Sequence, residues 1–563
     1  MTRKNNAIVI EAIIKFFILW CLNINTRLMK KALFLLLLPL FFFSCNHKAD
    51  KEQEISIIPQ PVNLKKISGS FNTDSLNVIF MGVDQAALFN VAMHCKTMFE
   101  PVLGHKIEIV KGTGKSGQMV LDIDPDLGSE AYLLTVNNNL ISIIGGDAAG
   151  VFWGIQTLKQ LLPPDFEKGI RMDAFDIPCI AIEDEPRFVY RGMHLDVCRH
   201  FFAVEDVKSY IDLLVLHKFN IFHWHLTDDQ GWRIEIKKYP LLTEIGAYRD
   251  ETVIGRNSGE YDSKPYGGYY TQEEIKDIVA YAEDRFITII PEIEMPGHSL
   301  AALAAYPELG CTGGPYSVAT KWGVFDDVFC PGNEETFEFL ENVIDEICLL
   351  FPNSPYIHIG GDESPKTRWL QCEKCKNRIE NEGLADTHEL QSYFIKRMAD
   401  YIKSKGKSII GWDEILEGGL ANNATVMSWR GEEGGIAAAK MGHDVIMCPN
   451  EVCYFDHYQS KDTENEPLAF GGFTDCEKIY SWSPIPSDLN ENQASRILGG
   501  QANLWTEYIL DLDHIEYMVL PRMAALSEVL WSQPDKLNYD IFVKKLQNLT
   551  KYYDARGYNY AKN

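Results

Sequence analysis

Tyr356-Ile357-His358-Ile359-Gly360-Gly361-Asp362-Glu363-Ser364 is the stretch on which the reading of this chain turns. Its first four residues have the apolar, β-branched character of a short buried strand. Two glycines follow, then two adjacent carboxylates. Glycines at a strand end let the backbone turn sharply or a ligand come close. An acid pair there suits proton transfer at the mouth of a parallel sheet. The ordinary alternative is a polar strand end, with Asp362 capping the next helix. The partners supplied by the rest of the chain decide between them.

From Phe188 onward, strand-like and helix-like segments alternate, which implies a parallel sheet. The expected strands are Tyr190–Val197, Ile221–Leu226, Ile287–Ile293, Tyr356–Ile359, Ser408–Gly411, Thr425–Ser428, Asp444–Met447 and Ile497–Ala502. Helical spacing lies between most of them, as in Val204–His217, Gln272–Ala282, Glu335–Leu350 and Leu390–Ser404. Eight strands in roughly 350 residues fit an α/β fold of the (β/α)8 TIM barrel type with loop insertions. The glycine fingerprint of an open doubly wound sheet is not found. Ahead of the barrel, residues 55–186 read as a small α+β domain. Its strands are expected at Leu76–Phe80, Lys106–Val110 and Leu140–Ile144, and a helix from Ala148 to Leu162 stops at Pro163-Pro164. The expected divisions are an extension and signal at 1–45, a spacer at 46–54, the small domain at 55–186, the barrel at 187–535 and a helical tail at 536–563.

In such barrels the site gathers at the C-terminal strand ends. Arg191 and Asp196 are assigned to the first, Asp228-Asp229 to the second, and Glu292, Glu294 and His298 to the third. Asp362-Glu363 end the fourth, Trp412-Asp413-Glu414 the fifth and Trp429-Arg430 the sixth. Tyr454 and Asp456 follow the seventh, and Trp505 and Glu507 the eighth. Aromatic walls with carboxylates and an arginine suit a sugar ring, stacking on its faces and bonding its hydroxyls. The net charge of −26 argues against nucleic acid and anionic lipid headgroups as partners.

The N-terminus reads as a targeting segment. Met29-Lys30-Lys31 precedes an apolar run, Ala32 to Phe43, that is shorter than the ~20 residues of a spanning helix. Met29 is taken as the start of this signal and residues 1–28 as an extension of it. Phe42-Phe43-Ser44-Cys45 resembles a bacterial lipobox, which implies a lipid on Cys45 and attachment to the cell envelope, on the periplasmic side or the outer surface. Eleven cysteines remain beyond Cys21 and Cys45, an odd number that cannot all pair within one chain. Cys311 and Cys330 bracket a glycine-rich loop that a disulfide could close. Cys372-x-x-Cys375 has the spacing of half a zinc site; with no second pair suitably spaced, a local disulfide or free thiols is the expectation there.

Six motifs carry a more specific resemblance. They are Arg191-Gly192-Met193-His194-Leu195-Asp196, the run from Phe222 to Trp232, and Pro291-Glu292-Ile293-Glu294-Met295-Pro296-Gly297-His298. The others are His358 to Glu363, Gly411-Trp412-Asp413-Glu414, and Ala502-Asn503-Leu504-Trp505-Thr506-Glu507. In this order they resemble family 20 glycoside hydrolases, the β-N-acetylhexosaminidases, from Ile55 to about Pro534. The resemblance implies a substrate-assisted mechanism, an exception to the two-carboxylate scheme. Glu363 is then the general acid and later base, Asp362 the acceptor for the substrate's acetamido N–H, and Tyr454 a donor to the acetamido oxygen. Trp412, Trp429 and Trp505 form an aromatic box. Arg191 and Glu507 hold hydroxyls at the closed end, Asp228 and Asp456 bind further hydroxyls, and His298 orients Glu363 or Asp228. A neighbouring charge and a dry pocket predict a raised pKa for Glu363 beside an ionised Asp362.

No cofactor and no metal are expected. His223-x-His225 invites a metal-dependent amidohydrolase reading, but the fifth and sixth strand ends carry tryptophans where that chemistry needs ligands. The expected partners are N-acetylhexosamine-containing oligosaccharides or glycoconjugates. The alternatives are a glycan-binding lipoprotein without catalysis and a relative that releases a disaccharide.

Overall fold

The structure is a computed structural model, described here for residues 55–82, 85–112 and 118–562. The signal, lipobox and spacer assigned to residues 1–54 lie outside the described residues. Eight parallel strands close a barrel: Tyr190–Asp196, Ile221–His225, Thr288–Glu292, Tyr356–His358, Ser408–Trp412, Thr425–Ser428, Val445–Met447 and Ile497–Ala502. They are the eight strands expected, with ends shifted by a residue or two.

Alternation along the second strand shows why this sequence closes a barrel. Phe222 and Trp224 take one face, with Phe222 against Tyr210 and Trp224 against Tyr270, while His223 and His225 take the other. All four are buried, as in a parallel sheet covered on both sides. The intervening helices carry apolar residues at three- and four-residue spacing, as in Glu334–Leu350, which buries Phe337, Leu340, Val343, Ile344 and Ile347. Helix Gln272–Glu283 starts at a capping box: Thr271 Oγ1 accepts from Glu274 N–H at 3.3 Å, and Glu274 Oε2 accepts from Thr271 N–H at 2.8 Å.

Ahead of the barrel stands a mixed seven-stranded sheet. Its spatial order is Asn63–Asn72, Asp176–Asp184, Tyr132–Asn137, Leu140–Gly145, Gln118–Ile123, Val78–Met81 and Glu108–Lys111. Helix Ala148–Lys159 is capped by Asp147, which accepts from Gly150 N–H at 2.8 Å, and ends ahead of Pro163-Pro164. This sheet meets the N-terminal end of the barrel through buried ion pairs. Arg191 pairs with Glu130 at 2.8 Å, and Lys218 with Asp184 at 3.2 Å. The last helix, Tyr539–Arg556, reaches back to the small domain. Tyr552 donates to the carbonyls of Gln160 and Leu162, and Arg556 to Glu167.

Candidate active site

The fourth strand sets the geometry. Gly360 and Gly361 follow it at φ 64° and 94°, and a β-carbon on Gly360 would lie 1.8 Å from the Glu294 carboxylate. Only glycine passes this close to the third strand end. The turn buries Asp362 and leaves the Glu363 side chain 43% exposed. Glu363 and His298 adopt φ 43° and 46°. Non-glycine residues rarely take up these left-handed conformations, and their surroundings must hold them there.

His298 ties the second strand end to the fourth. Its Nδ1 lies 2.9 Å from Asp229 Oδ2 and 3.3 Å from Asp228 Oδ1. Its Nε2 lies 3.6 Å from both Asp362 Oδ2 and Glu363 Oε2. Burial alone would lower the imidazole's pKa, but the Asp228 charge and the close carboxylates of Asp228, Asp229 and Glu363 hold it well above the usual range. It is therefore an imidazolium among four carboxylates. Burial, with the charges of Glu292 and Glu363, pushes Asp362 up to about 6 against the pull of His298. The His298 cation, 3.6 Å away, holds Glu363 below its ordinary value. This corrects the expected order, in which Glu363 was the raised acid. Asp362 is the buried carboxyl of the pair, and Glu363 stands in water next to a cation.

Trp412, Trp429, Tyr454 and Trp505 wall a pocket of about 170 Å³, with His457, Phe470 and Asn450 beside them. Tyr454 stacks on Trp429 at 6.2 Å and 24°, and Trp505 hydrogen-bonds its hydroxyl. As the indole N–H only donates, the phenol proton is free to be donated onward. Burial keeps that phenol well above its ordinary pKa, hence protonated. Trp429 Nε1 donates to Glu414 at 2.9 Å and Trp412 Nε1 to Glu292 at 2.9 Å, which fixes both rings. Asp362 Oδ1, Asp456 Oδ1 and Glu507 Oε2 are buried without a hydrogen-bond partner. Such groups in a native protein call for a ligand or water.

The arginine at this pocket is Arg199, and the assignment of Arg191 is corrected. Arg191 is the second residue of its strand, roughly 17 Å of extended chain from the strand's last residue at ~3.3 Å per residue. It faces the small domain, bonding Glu130 and the carbonyls of Lys218 and Phe188 and lying 4.9 Å from the Trp531 ring. Arg199, three residues past the strand end, lines the pocket and lies 4.9 Å from the Trp505 ring. It is held by Asp228 at 2.9 Å, Asp196 at 3.4 Å and Gln230 at 3.0 Å. Asp228, expected to bind a hydroxyl, is instead enclosed behind the wall by Arg199, His225 and His298. The sequence signal for Arg199 was strand polarity: residues at or beyond the C-terminal end reach the site, and residues near the start do not.

The histidines of the metal reading surround a carboxylate. Glu292 Oε1 lies 2.7 Å from His358 Nδ1, and its Oε2 lies 3.1 Å from His223 Nε2 and in hydrogen-bond contact with His225 Nδ1. Burial would raise Glu292, but His358, His225 and His223 together hold it well below the usual carboxylate range. This hub sets the Trp412 ring. Asp413 anchors the Trp429 backbone N–H at 3.2 Å, and Asp229 accepts from Leu300 N–H at 2.9 Å. These acids position the wall and do not line the pocket.

Residues 188–534 match the catalytic domain of glycosyl hydrolase family 20, and residues 54–185 match domain 2 of the same family. A β-hexosaminidase of Porphyromonas gingivalis is 46% identical over 92% of this chain and 67% of its own length. One of Vibrio furnissii is 36% identical over 84% of this chain and 76% of its own. The N-acetyl-β-hexosaminidase of Streptomyces plicatus superposes with a TM-score of 0.79 at 32% identity, covering 90% of this chain and 96% of that one. The exo-β-N-acetylglucosaminidase of Vibrio harveyi, solved with N-acetylglucosamine, gives 0.78 at 32%, covering 90% and 78%. With the eight-stranded barrel, the preceding sheet and the acid-bearing aromatic pocket in place, the chain belongs to glycosyl hydrolase family 20 and is a glycoside hydrolase of its β-hexosaminidase class.

Proposed function

We propose that the enzyme removes terminal, non-reducing β-linked N-acetylhexosamine from glycans with retention, using the substrate's own 2-acetamido oxygen as nucleophile. One observation carries this reading: Asp362 and Glu363 are gathered on the same imidazole nitrogen, each 3.6 Å from it. Two carboxylates on one wall do not flank a glycosidic bond as acid and nucleophile. Glu363, at the exposed side, protonates the leaving oxygen and then activates water. Asp362 accepts the acetamido N–H on its unpartnered Oδ1 and stabilises the positive charge of the oxazolinium intermediate. Tyr454 donates to the acetamido oxygen and steers it onto the anomeric carbon.

The sugar sits among Trp412, Trp429 and Trp505, with Arg199, Asp456 and Glu507 bonding its hydroxyls. A bound sugar and its leaving group displace water from Glu363, which raises its pKa toward that of a working acid. An exposed Glu363 and a buried Asp456 lining the same pocket support exo action, with the terminal sugar inside and the remainder of the glycan outside.

A panel of chromogenic β-glycosides with NMR of the first-formed anomer tests the proposal. N-acetylglucosaminide or N-acetylgalactosaminide cleavage with retention, and no cleavage of the 2-hydroxy analogues, is expected. Inversion contradicts the mechanism. Absence of turnover on every N-acetylated substrate favours the binding protein, and a disaccharide product favours the disaccharide-releasing relative. The same proposal places the enzyme on the bacterial cell envelope through a lipid on Cys45. Mass spectrometry of the mature N-terminus tests that part, and an unmodified Cys45 contradicts it.

A further inference from the structure

Away from the sugar pocket, four cysteines meet. The Sγ atoms of Cys311, Cys330, Cys372 and Cys375 all lie within 4.8 Å of one another. The separations are 3.8 Å for Cys311–Cys375, 3.8 Å for Cys330–Cys372 and 3.5 Å for Cys330–Cys375. Four sulfurs around a zinc ion at Zn–S of about 2.3 Å stand about 3.8 Å apart, whereas a disulfide brings its pair to ~2.05 Å. Cys330 is nearly equidistant from two others, which fits one shared centre and not two separate bonds. We propose that these four thiolates bind one structural zinc ion.

The surroundings are those of a closed metal site. Val328, Trp369 and Leu390 pack around the cluster, with Ile379, Leu384 and Tyr393 beside them. No oxygen or nitrogen ligand is included among the four, and an all-sulfur tetrahedron is the coordination zinc takes in structural sites. The Gly332 N–H bonds Cys330 Sγ, an outer-shell contact that orients the ligand. Gly332 itself is required, because a β-carbon there would lie 2.2 Å from the Lys374 carbonyl carbon. The two cysteine-bearing turns therefore pass in direct contact. Cys372 is the N-cap of helix Glu373–Glu382 and Cys375 sits in its first turn, where the helix dipole favours thiolate.

The clamp would join two active-site loops. Cys311 and Cys330 bound the loop that follows His298, and Cys372 follows Glu363 by nine positions. Trp369 Nε1 donates to Phe329 O at 3.0 Å and Arg368 pairs with Asp327 at 2.7 Å, along the same seam. The zinc is thus a positioning device for the segments that hold His298 and Glu363. It takes no part in the reaction.

The sequence allows a disulfide across Cys311 and Cys330, and the expectation at Cys372 and Cys375 is a local disulfide or free thiols. In the structure all four are free and face one another. The second half of the site carries no sequence signature, because Cys311 and Cys330 come from distant ends of one loop and lack a knuckle spacing.

Elemental analysis of the full chain, purified without chelator, tests the proposal. One zinc per chain is expected. A thiol-modifying mercurial should release it into a chromophoric chelator under native conditions, and the unfolding temperature should drop on release. A Cys372→Ser/Cys375→Ser variant should lose the metal, while Cys348→Ser, outside the cluster, keeps it. Should the double variant fail to fold, the metal content of the parent protein still decides. Iron in place of zinc, no metal after incubation with zinc, or an intact mass lighter by the hydrogens of two disulfides would overturn the proposal.

Discussion

At the N-terminal end of the barrel Arg191 and Lys218 are closed into ion pairs with Glu130 and Asp184, and further hydrogen bonds, to the Lys218 carbonyl and from the Trp531 indole, complete them. At the C-terminal end Asp362, Asp456 and Glu507 keep buried oxygens without partners. Both ends take charge out of water, at a cost of several kcal/mol per ion. At the first end the cost is offset within the folded protein, so the charges join sheet to barrel. At the second His298 and Arg199 offset only part of it, and the unpartnered oxygens await a ligand's N–H and O–H groups. The difference separates residues that hold the molecule together from residues that await a substrate, although both are buried and ionisable.

Substitutions on either side of this divide should behave differently. The largest effect is expected for Glu363→Gln. Without its acid the enzyme should lose up to about 10⁴-fold in kcat/KM, ~5.5 kcal/mol, on poor leaving groups. It should lose far less on an activated aryl glycoside, and its unfolding midpoint should hardly move. Arg191→Ala should do the reverse. It leaves Glu130 buried without its cation, so urea unfolding should show a loss of about 3–5 kcal/mol, with kcat/KM of the folded enzyme close to the parent value. A collapse of kcat/KM in that variant at normal stability would return Arg191 to the pocket.

Arg199→Lys keeps a cation between Asp196 and Asp228 but loses the guanidinium fork. Steady-state kinetics should show about 1.5–3 kcal/mol of lost binding, roughly a 10- to 150-fold fall in kcat/KM. Asp362→Asn is expected to change stability only modestly, and the sign of that change separates function from stability. The folded pKa of about 6 stands above the ordinary 3.8. The destabilisation is therefore absent below the lower value, grows between the two and is complete above about 6. Above that pH the variant should be more stable by ~1–3 kcal/mol, yet nearly inactive. In the parent, the acid limb of kcat/KM should fall near pH 6 as Asp362 gains its proton.

Period and polarity made the fold legible. Apolar segments of strand length alternating with amphipathic helices specify a closed parallel barrel, and the eight strands lie where that pattern put them. Much of the pocket wall was legible for the same reason, since Trp412 ends a strand and Asp362, Glu363, Tyr454, Trp429 and Trp505 each follow one. Arg191 differs because it lies at its strand's start, and motif and composition alone do not distinguish that end from the C-terminal one. Asp228 differs in another way. It does follow a strand, but Arg199, His225 and His298 close around it, and only the folded chain reveals such company. The order of the two carboxyl pKa values likewise depended on which side chain stands in water. The four-cysteine cluster was hidden because loop closure, not local spacing, assembles it.

The central claim is that the substrate supplies its own nucleophile, and successive fluorination of the acetyl methyl in an aryl 2-acetamido-2-deoxy-β-glycoside tests it most directly. Each fluorine withdraws electrons from the amide oxygen while leaving the anomeric centre and the leaving group unchanged. If that oxygen attacks within the Asp362–Tyr454 clasp, kcat/KM should fall steeply and in order from acetyl to trifluoroacetyl. A rate indifferent to fluorine would mean that a protein carboxylate or water makes the attack, and would contradict the account.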